Sequence, residues 1–223
     1  MSSFFVQARR NLTDAGNDQI EREWRQKVRV VATSQPLLPP RLEPGILEHV
    51  SEALYNNRWL RLKYRNARGK ESGAEVMPLG LAQQGPNLYL VCRYRGYENE
   101  RSLALHRMLA AEATTIQFER PKDFDLKKYD DEGRFGFGEG SRVELSFRIK
   151  KEFGFFLLET PLSKDQKVVS EEEWYVIHAT LVETAVLKWW LRGFGDAVSD
   201  VCITPLAQNE SSKNRISGVL CDT

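Results

Sequence analysis

The sequence predicts an α+β chain: a helical lead-in, a small, strongly bent β-barrel, and a unit with the element order β-α-β-β-α-β. Three observations predict it. Apolar residues recur at helical spacing up to Asn57, the period drops to two from Trp59, and strand and helix periods alternate after Pro121.

In the lead-in, Phe4, Ala8 and Leu12 form one apolar stripe, and Ile20, Trp24, Val28 and Val31 form another. Four prolines between Pro36 and Pro44 make an extended connector. A third helix is expected from about Gly45, with Ile46, Leu47, Val50, Ala53 and Leu54 on one face and Asn56-Asn57 as its stop. Then Leu60, Leu62 and Tyr64 alternate with Arg61, Lys63 and Arg65, which puts one face in a core and positive charge on the other. Strands follow at Glu75 to Leu81, Leu88 to Tyr94, Arg101 to Met108 and Ala113 to Phe118, separated by turn residues. Short strands at this spacing suggest the barrel.

The third unit opens with Val143, Leu145, Phe147 and Ile149 on one strand face. A helix over Lys150 to Glu159 is expected to turn Phe153, Phe156 and Leu157 inward. A hairpin, an amphipathic helix over Thr184 to Phe194 and a strand from Ala197 to Ile203 complete a ferredoxin-like order. The expected divisions are 1–57 (helical lead-in and dimerisation linker), 58–120 (barrel), 121–141 (interdomain linker), 142–206 (ferredoxin-like unit) and 207–223 (polar, disordered tail).

Composition limits the functions available. The 223 residues carry 32 Lys+Arg against 31 Asp+Glu, a net charge of +1, and 41% of them are hydrophobic, so a chain basic throughout is excluded. No apolar run reaches the roughly 20 residues of a membrane span. Cys92, Cys202 and Cys221 form no Cys-x-x-Cys pair, which suits a reducing cytoplasm and gives no zinc site. The near-zero total hides a division. Residues 58–107 hold ten basic and four acidic side chains, a net +6, whereas 121–200 hold twelve and sixteen, a net −4. The barrel segment is therefore the candidate holder of an anionic ligand.

Catalytic chemistry has little support. His49, His106 and His178 fall on three separate elements, and no nucleophile elbow or phosphate loop is present. Gly136 to Gly140 follows no strand and opens no helix, so it reads as linker. Binding has more. Alternation puts Tyr89, Val91 and Arg93 on one face of their strand, and Arg101, Leu103, Leu105 and Arg107 on one face of the next. Guanidinium groups beside a ring suit phosphate and stacked-base recognition. Periodicity alone leaves a second reading open, in which Tyr89 is a core aromatic and the arginines are surface charge.

Leu88-Tyr89-Leu90, preceded by Tyr64 and Pro78-Leu79-Gly80-Leu81 and followed by Leu103-Ala104-Leu105-His106-Arg107-Met108, resembles the WYL domain of bacterial transcriptional regulators. Trp189-Trp190-Leu191-Arg192-Gly193-Phe194-Gly195 and the strand after it resemble the WCX extension of that family. The resemblance implies a non-enzymatic module with an Sm-like barrel, needing no cofactor, that binds a nucleotide or single-stranded nucleic acid and signals to a DNA-binding domain. The residues expected to hold the ligand are Tyr89, Arg93, Arg101, His106 and Arg107, of which Arg107 alone carries over directly from the family's run, with Arg61, Lys63, Tyr64 and Arg65 in second rank. A cytoplasmic homodimer is expected. Three departures stand out. Leu88 occupies the tryptophan position, Ala104-Leu105-His106-Arg107 replaces the usual Arg-Leu-Asp-Arg run, and there is no room for a winged helix before Trp59, so duplex DNA would be met only through a domain this chain lacks. The competing expectation is a protein-interaction or dimerisation module without a small ligand.

Overall fold

The computed structural model describes residues 35–206, with Lys27 and Val31 before them. The two helices expected before Val31, the tail after Leu206 and Cys221 lie outside the described residues.

Helix α1 (Ile46–Tyr55) buries Ile46, Val50 and Ala53, the i, i+4, i+7 stripe that its sequence dictates. It stops at Asn56, and Asn57 takes a left-handed φ of 49° that turns the chain into β1. Five antiparallel strands follow: β1 (Arg58–Arg65), β2 (Glu71–Gln84), β3 (Asn87–Tyr94), β4 (Glu100–Ala104) and β5 (Met108–Gln117), in the order β4-β3-β2-β1-β5. Leu60, Leu62 and Tyr64 of β1 point into the core, while Arg61, Lys63 and Arg65 point out. Pro78 sits where the β2–β3 register shifts, the bulge a proline requires inside a sheet.

The second sheet comprises β6 (Arg142–Lys150), β7 (Lys167–Ser170), β8 (Trp174–Val182) and β9 (Val198–Pro205), in the order β7-β8-β6-β9. Between the sheets lies α2 (Leu126–Asp131). After β6 come α3 (Lys151–Gly154) and α4 (Phe156–Glu159), and before β9 comes α5 (Ala185–Arg192). The Thr184 side chain caps α5 by accepting the Leu187 N–H at 3.0 Å. Each sheet has its own core: Leu60, Leu90, Leu105 and Met108 with α1 in one, and Phe147, Ile149, Leu157 and Ile177 in the other.

Three expectations need correction. Neither sheet closes into an Sm-like barrel, so the architecture is mixed α+β with two open antiparallel sheets. The expected strand over Arg101 to Met108 ends at Ala104, and a 3₁₀ turn over Leu105–Arg107 carries the chain from one sheet edge, β4, to the other, β5. No ladder joins those edges. α1 covers the apolar face instead, and the Tyr64 hydroxyl accepts the Ala104 N–H at 3.3 Å across the gap. The single helix expected over Lys150 to Glu159 is broken at Phe155, which leaves Phe153 and Phe156 48% and 41% exposed and only Leu157 buried.

Candidate functional site

Register decides which of the nominated side chains can act together. β3 pairs with β4 so that Tyr89 faces Ala104, Val91 faces Ser102 and Arg93 faces Glu100 on the outer face. Leu90 opposite Leu103 and Cys92 opposite Arg101 lie on the core face. Arg93 and Arg101 therefore point to opposite sides of the sheet.

The outer face is covered. Residues 120–137 run across it as a strap: the Arg120 guanidinium donates to the Leu79 carbonyl at 2.6 Å, Leu126 packs onto Gly80, and the Tyr129 and Ser102 hydroxyls bond at 3.1 Å. A Cβ on Gly80 would lie 2.9 Å from Leu126 Cδ1, so the strap needs glycine there to sit this close. Under the strap, Val91 and Leu79 are fully buried. Arg93 is committed as well. Its Nε donates to Glu100 Oε1 at 2.9 Å and its Nη2 to Asp123 Oδ2 at 3.1 Å. Burial alone would lower its pKa, but the hydrogen bonds and charges of the two carboxylates outweigh that and raise it. Tyr89 is half-buried on the same face, four residues from Arg93 along β3.

The core-face end of the sheet is different. Arg101 is exposed, with its guanidinium carbon 5.6 Å from the centroid of the Tyr94 ring. Burial raises the Tyr94 pKa, and Cys92, Arg101 and Tyr64 all lie within electrostatic range of its hydroxyl. Arg107 is exposed at the end of the 3₁₀ turn. Among the described residues neither Arg101 nor Arg107 has a carboxylate partner.

His106 lies between Arg107 and the buried Leu105, half-buried, with its Nδ1 enclosed and unpartnered. Burial first, and the Arg107 charge second, push its pKa below the ordinary 6.5. Between the folded and unfolded values the unfolded chain binds more protons, so this contribution to stability is complete above pH 6.5 and lost as pH falls through the folded pKa. Urea unfolding of His106→Gln should therefore show a shallower loss of stability than wild type between about pH 7 and pH 5. Parallel profiles would remove His106 as the source.

The second-rank cations on β1 are held by carboxylates of their own chain. Arg61 bonds Glu75 at 3.3 Å and Glu112 at 3.5 Å, Lys63 pairs with Glu71 at 2.8 Å, and Arg65 pairs with Glu71 at 2.7 Å. Hydrogen bonds from Lys63 and Arg65 hold the Glu71 pKa below the usual carboxylate value, and one from Arg95 does the same for Glu75. Small residues, Gly73 and Ala110, flank Lys63 in the register and open a shallow groove of about 690 Å³ over this row. Tyr64 belongs to the core rather than to this face.

Sequence reasoning missed Glu100 and Asp123, which neutralise Arg93, and Tyr94, which carries Arg101. The continuous apolar run Leu90-Val91-Cys92 was the available signal, because a strand buried on both faces loses its alternation. Among the described residues, no group of three or more His, Cys, Asp and Glu side chains is placed to hold a metal ion, and no helix is long and apolar enough to cross a membrane.

Solved structures similar to this chain include the proteasome accessory factor B/C (PafBC) of Arthrobacter aurescens, 24% identical over 77% of this chain and 26% of its own, with a TM-score of 0.38. A structure described as a CRISPR Cas-related protein is 12% identical over 74% of this chain and 46% of its own, with a TM-score of 0.41. The chain thus spans about a quarter and less than half of these two proteins. No curated protein matches it. Residues 45–113 match the WYL domain. That span runs from the Gly45 that caps α1 into β5 and contains every side chain nominated for the site, from Arg61 to Arg107. A WYL domain is a regulatory module and not a catalytic one, and over this segment, 69 of the 223 residues, the chain is similar to it.

Proposed function

We propose that the chain is the sensing module of a WYL-type transcriptional regulator and works as a cytoplasmic homodimer. Its effector is anionic, a nucleotide or single-stranded nucleic acid, and is held by Arg101 and Arg107 beside Tyr94 and His106. Regulators of this family generally act with nucleotide or nucleic-acid effectors and with partner DNA-binding domains. Contact with duplex DNA would fall to a winged-helix domain. One observation carries the reading: Arg101 and Arg107 are exposed and, among the described residues, have no carboxylate partner, whereas the cations on β1 and Arg93 do. An anion reaching the first pair displaces no internal ion pair. At Arg93 it would have to displace two carboxylates and the strap. Arg93 is thus a positioning residue, and Tyr89 lies on its side of the sheet.

Fluorescence anisotropy with a labelled single-stranded oligonucleotide and with competing mononucleotides tests this at two salt concentrations. Losing one charge-assisted hydrogen-bonding group removes about 1.5–3 kcal/mol, so Arg101→Ala and Arg107→Ala should each weaken binding roughly 10- to 100-fold. Each should also reduce the salt slope by about 0.7. Arg61→Ala should leave both unchanged. Affinity unchanged in the first two variants would remove the arginines from the site, and no binding by wild type to either ligand would sink the effector reading.

A further inference from the structure

Two features are left exposed. The first is the segment Pro36-Leu37-Leu38-Pro39-Pro40-Arg41, extended and outside any helix or sheet, with Leu37 69% and Leu38 92% exposed. Prolines at this density favour the polyproline II form, which presents its side chains at little entropic cost. The second is an aromatic pair, Phe137 and Trp189, whose rings meet edge to face at 5.9 Å while remaining 73% and 56% exposed. Trp190, the next residue, points the other way into the core, so Trp189 is spare to the packing of α5.

The structure goes to some length to hold that pair out. Phe137 has a left-handed φ of 59°, an unfavourable conformation for a residue with a bulky side chain. Gly136 and Gly138 on either side lie so near Thr184 and the Glu183 carbonyl that a Cβ would approach to 3.2 and 2.9 Å. An exposed ring kept in a strained loop against a second exposed ring is the composition of an interface hot spot. Aromatic surfaces of this kind take proline-rich segments in the polyproline II form.

We infer that the Pro36–Arg41 segment of one copy of this chain docks on the Phe137–Trp189 pair of a second copy, reciprocally, about a two-fold axis. Charge agrees with this pairing. Arg41 is exposed at one end of the segment and Glu139 is exposed two residues from Phe137, and among the described residues neither has an ion-pair partner. The topology favours the second copy over the chain's own segment. Leu42 anchors the segment on the α1 side of the first sheet, whereas the strap leading to Phe137 lies across the opposite face.

Sedimentation velocity of the full chain from micromolar to sub-millimolar concentration tests this without any effector, so it stands or falls apart from the effector site. Wild type should show a monomer–dimer equilibrium. Leu38→Ser and Trp189→Ser, both at exposed positions, should each raise the dissociation constant at least about tenfold. Arg41→Glu and Glu139→Arg should each weaken the dimer, and the double swap should restore it to within about threefold of wild type. A peptide of residues 35–44 should compete the dimer apart and change the tryptophan emission of wild type but not of Trp189→Ser. A chain monomeric throughout, a dimer indifferent to Leu38→Ser and Trp189→Ser, or a double swap no better than the single ones would overturn the inference.

Discussion

Phe147→Ala is expected to destabilise the second unit by about 3–5 kcal/mol, because a large ring leaves a cavity that its neighbours fill only in part. Phe147 is fully buried and meets Trp190 edge to face at 6.2 Å, inside a core that shares no buried residue with the first. The loss should therefore be local. In urea unfolding followed by near-ultraviolet circular dichroism, the transition of the second sheet should move to lower denaturant, while that of the first sheet stays near its wild-type midpoint. Leu60→Ala, at a fully buried position of the other core, should do the reverse at a cost of about 2–5 kcal/mol. A single transition displaced equally by both substitutions would mean that the strap fuses the two cores into one cooperative unit.

What the sequence made legible, and what it did not, follows from the range over which each feature is determined. β1 was readable because one face is buried and the other wet, so Leu60, Leu62 and Tyr64 had to alternate with Arg61, Lys63 and Arg65. The end of α1 at Asn56 was readable because a few adjacent residues decide it, and α5 because its apolar residues recur at helical spacing, although Thr184 proved to be its cap rather than its first residue. The open edges of the first sheet were not. Whether β4 meets β5 depends on a 3₁₀ turn at Leu105 whose apolar side chain equally suits a strand. The strap was hidden for a different reason. α2 has six residues, with Leu126 and Tyr129 as its anchors, too few to show a period. The charge count pointed correctly to a segment rich in cations. It gave no sign that Arg61, Lys63, Arg65 and Arg93 would each find a carboxylate, because those partnerships are made across strands and from the strap.

The strap also joins the two units, and Gly133 is where that junction is most sensitive. A side chain there meets two separate penalties. The backbone φ is +71°, and a Cβ would fall 2.6 Å from Thr184 Cγ2 and 3.1 Å from Val182 Cγ1. The left-handed conformation costs about 1–2 kcal/mol for an L-residue. Overpacking a close contact adds about 1–3 kcal/mol. Gly133→Ala should thus lower stability by about 2–5 kcal/mol, and two other glycines separate its components. Gly69 has a φ of +81° with nothing within 4 Å, so Gly69→Ala should carry only the conformational share. Gly138 has no positive φ, but a Cβ would lie 2.9 Å from the Glu183 carbonyl oxygen, so Gly138→Ala should carry only the steric share. Thr184→Ser then removes the clashing Cγ2 of Gly133→Ala while keeping the hydroxyl that caps α5. In that background only the milder contact with Val182 is left, so Gly133→Ala should cost less than in wild type and move toward Gly69→Ala. Equal costs in both backgrounds, measured by urea unfolding, would assign the whole penalty to the backbone and leave the contact between the strap and Thr184 without energetic weight.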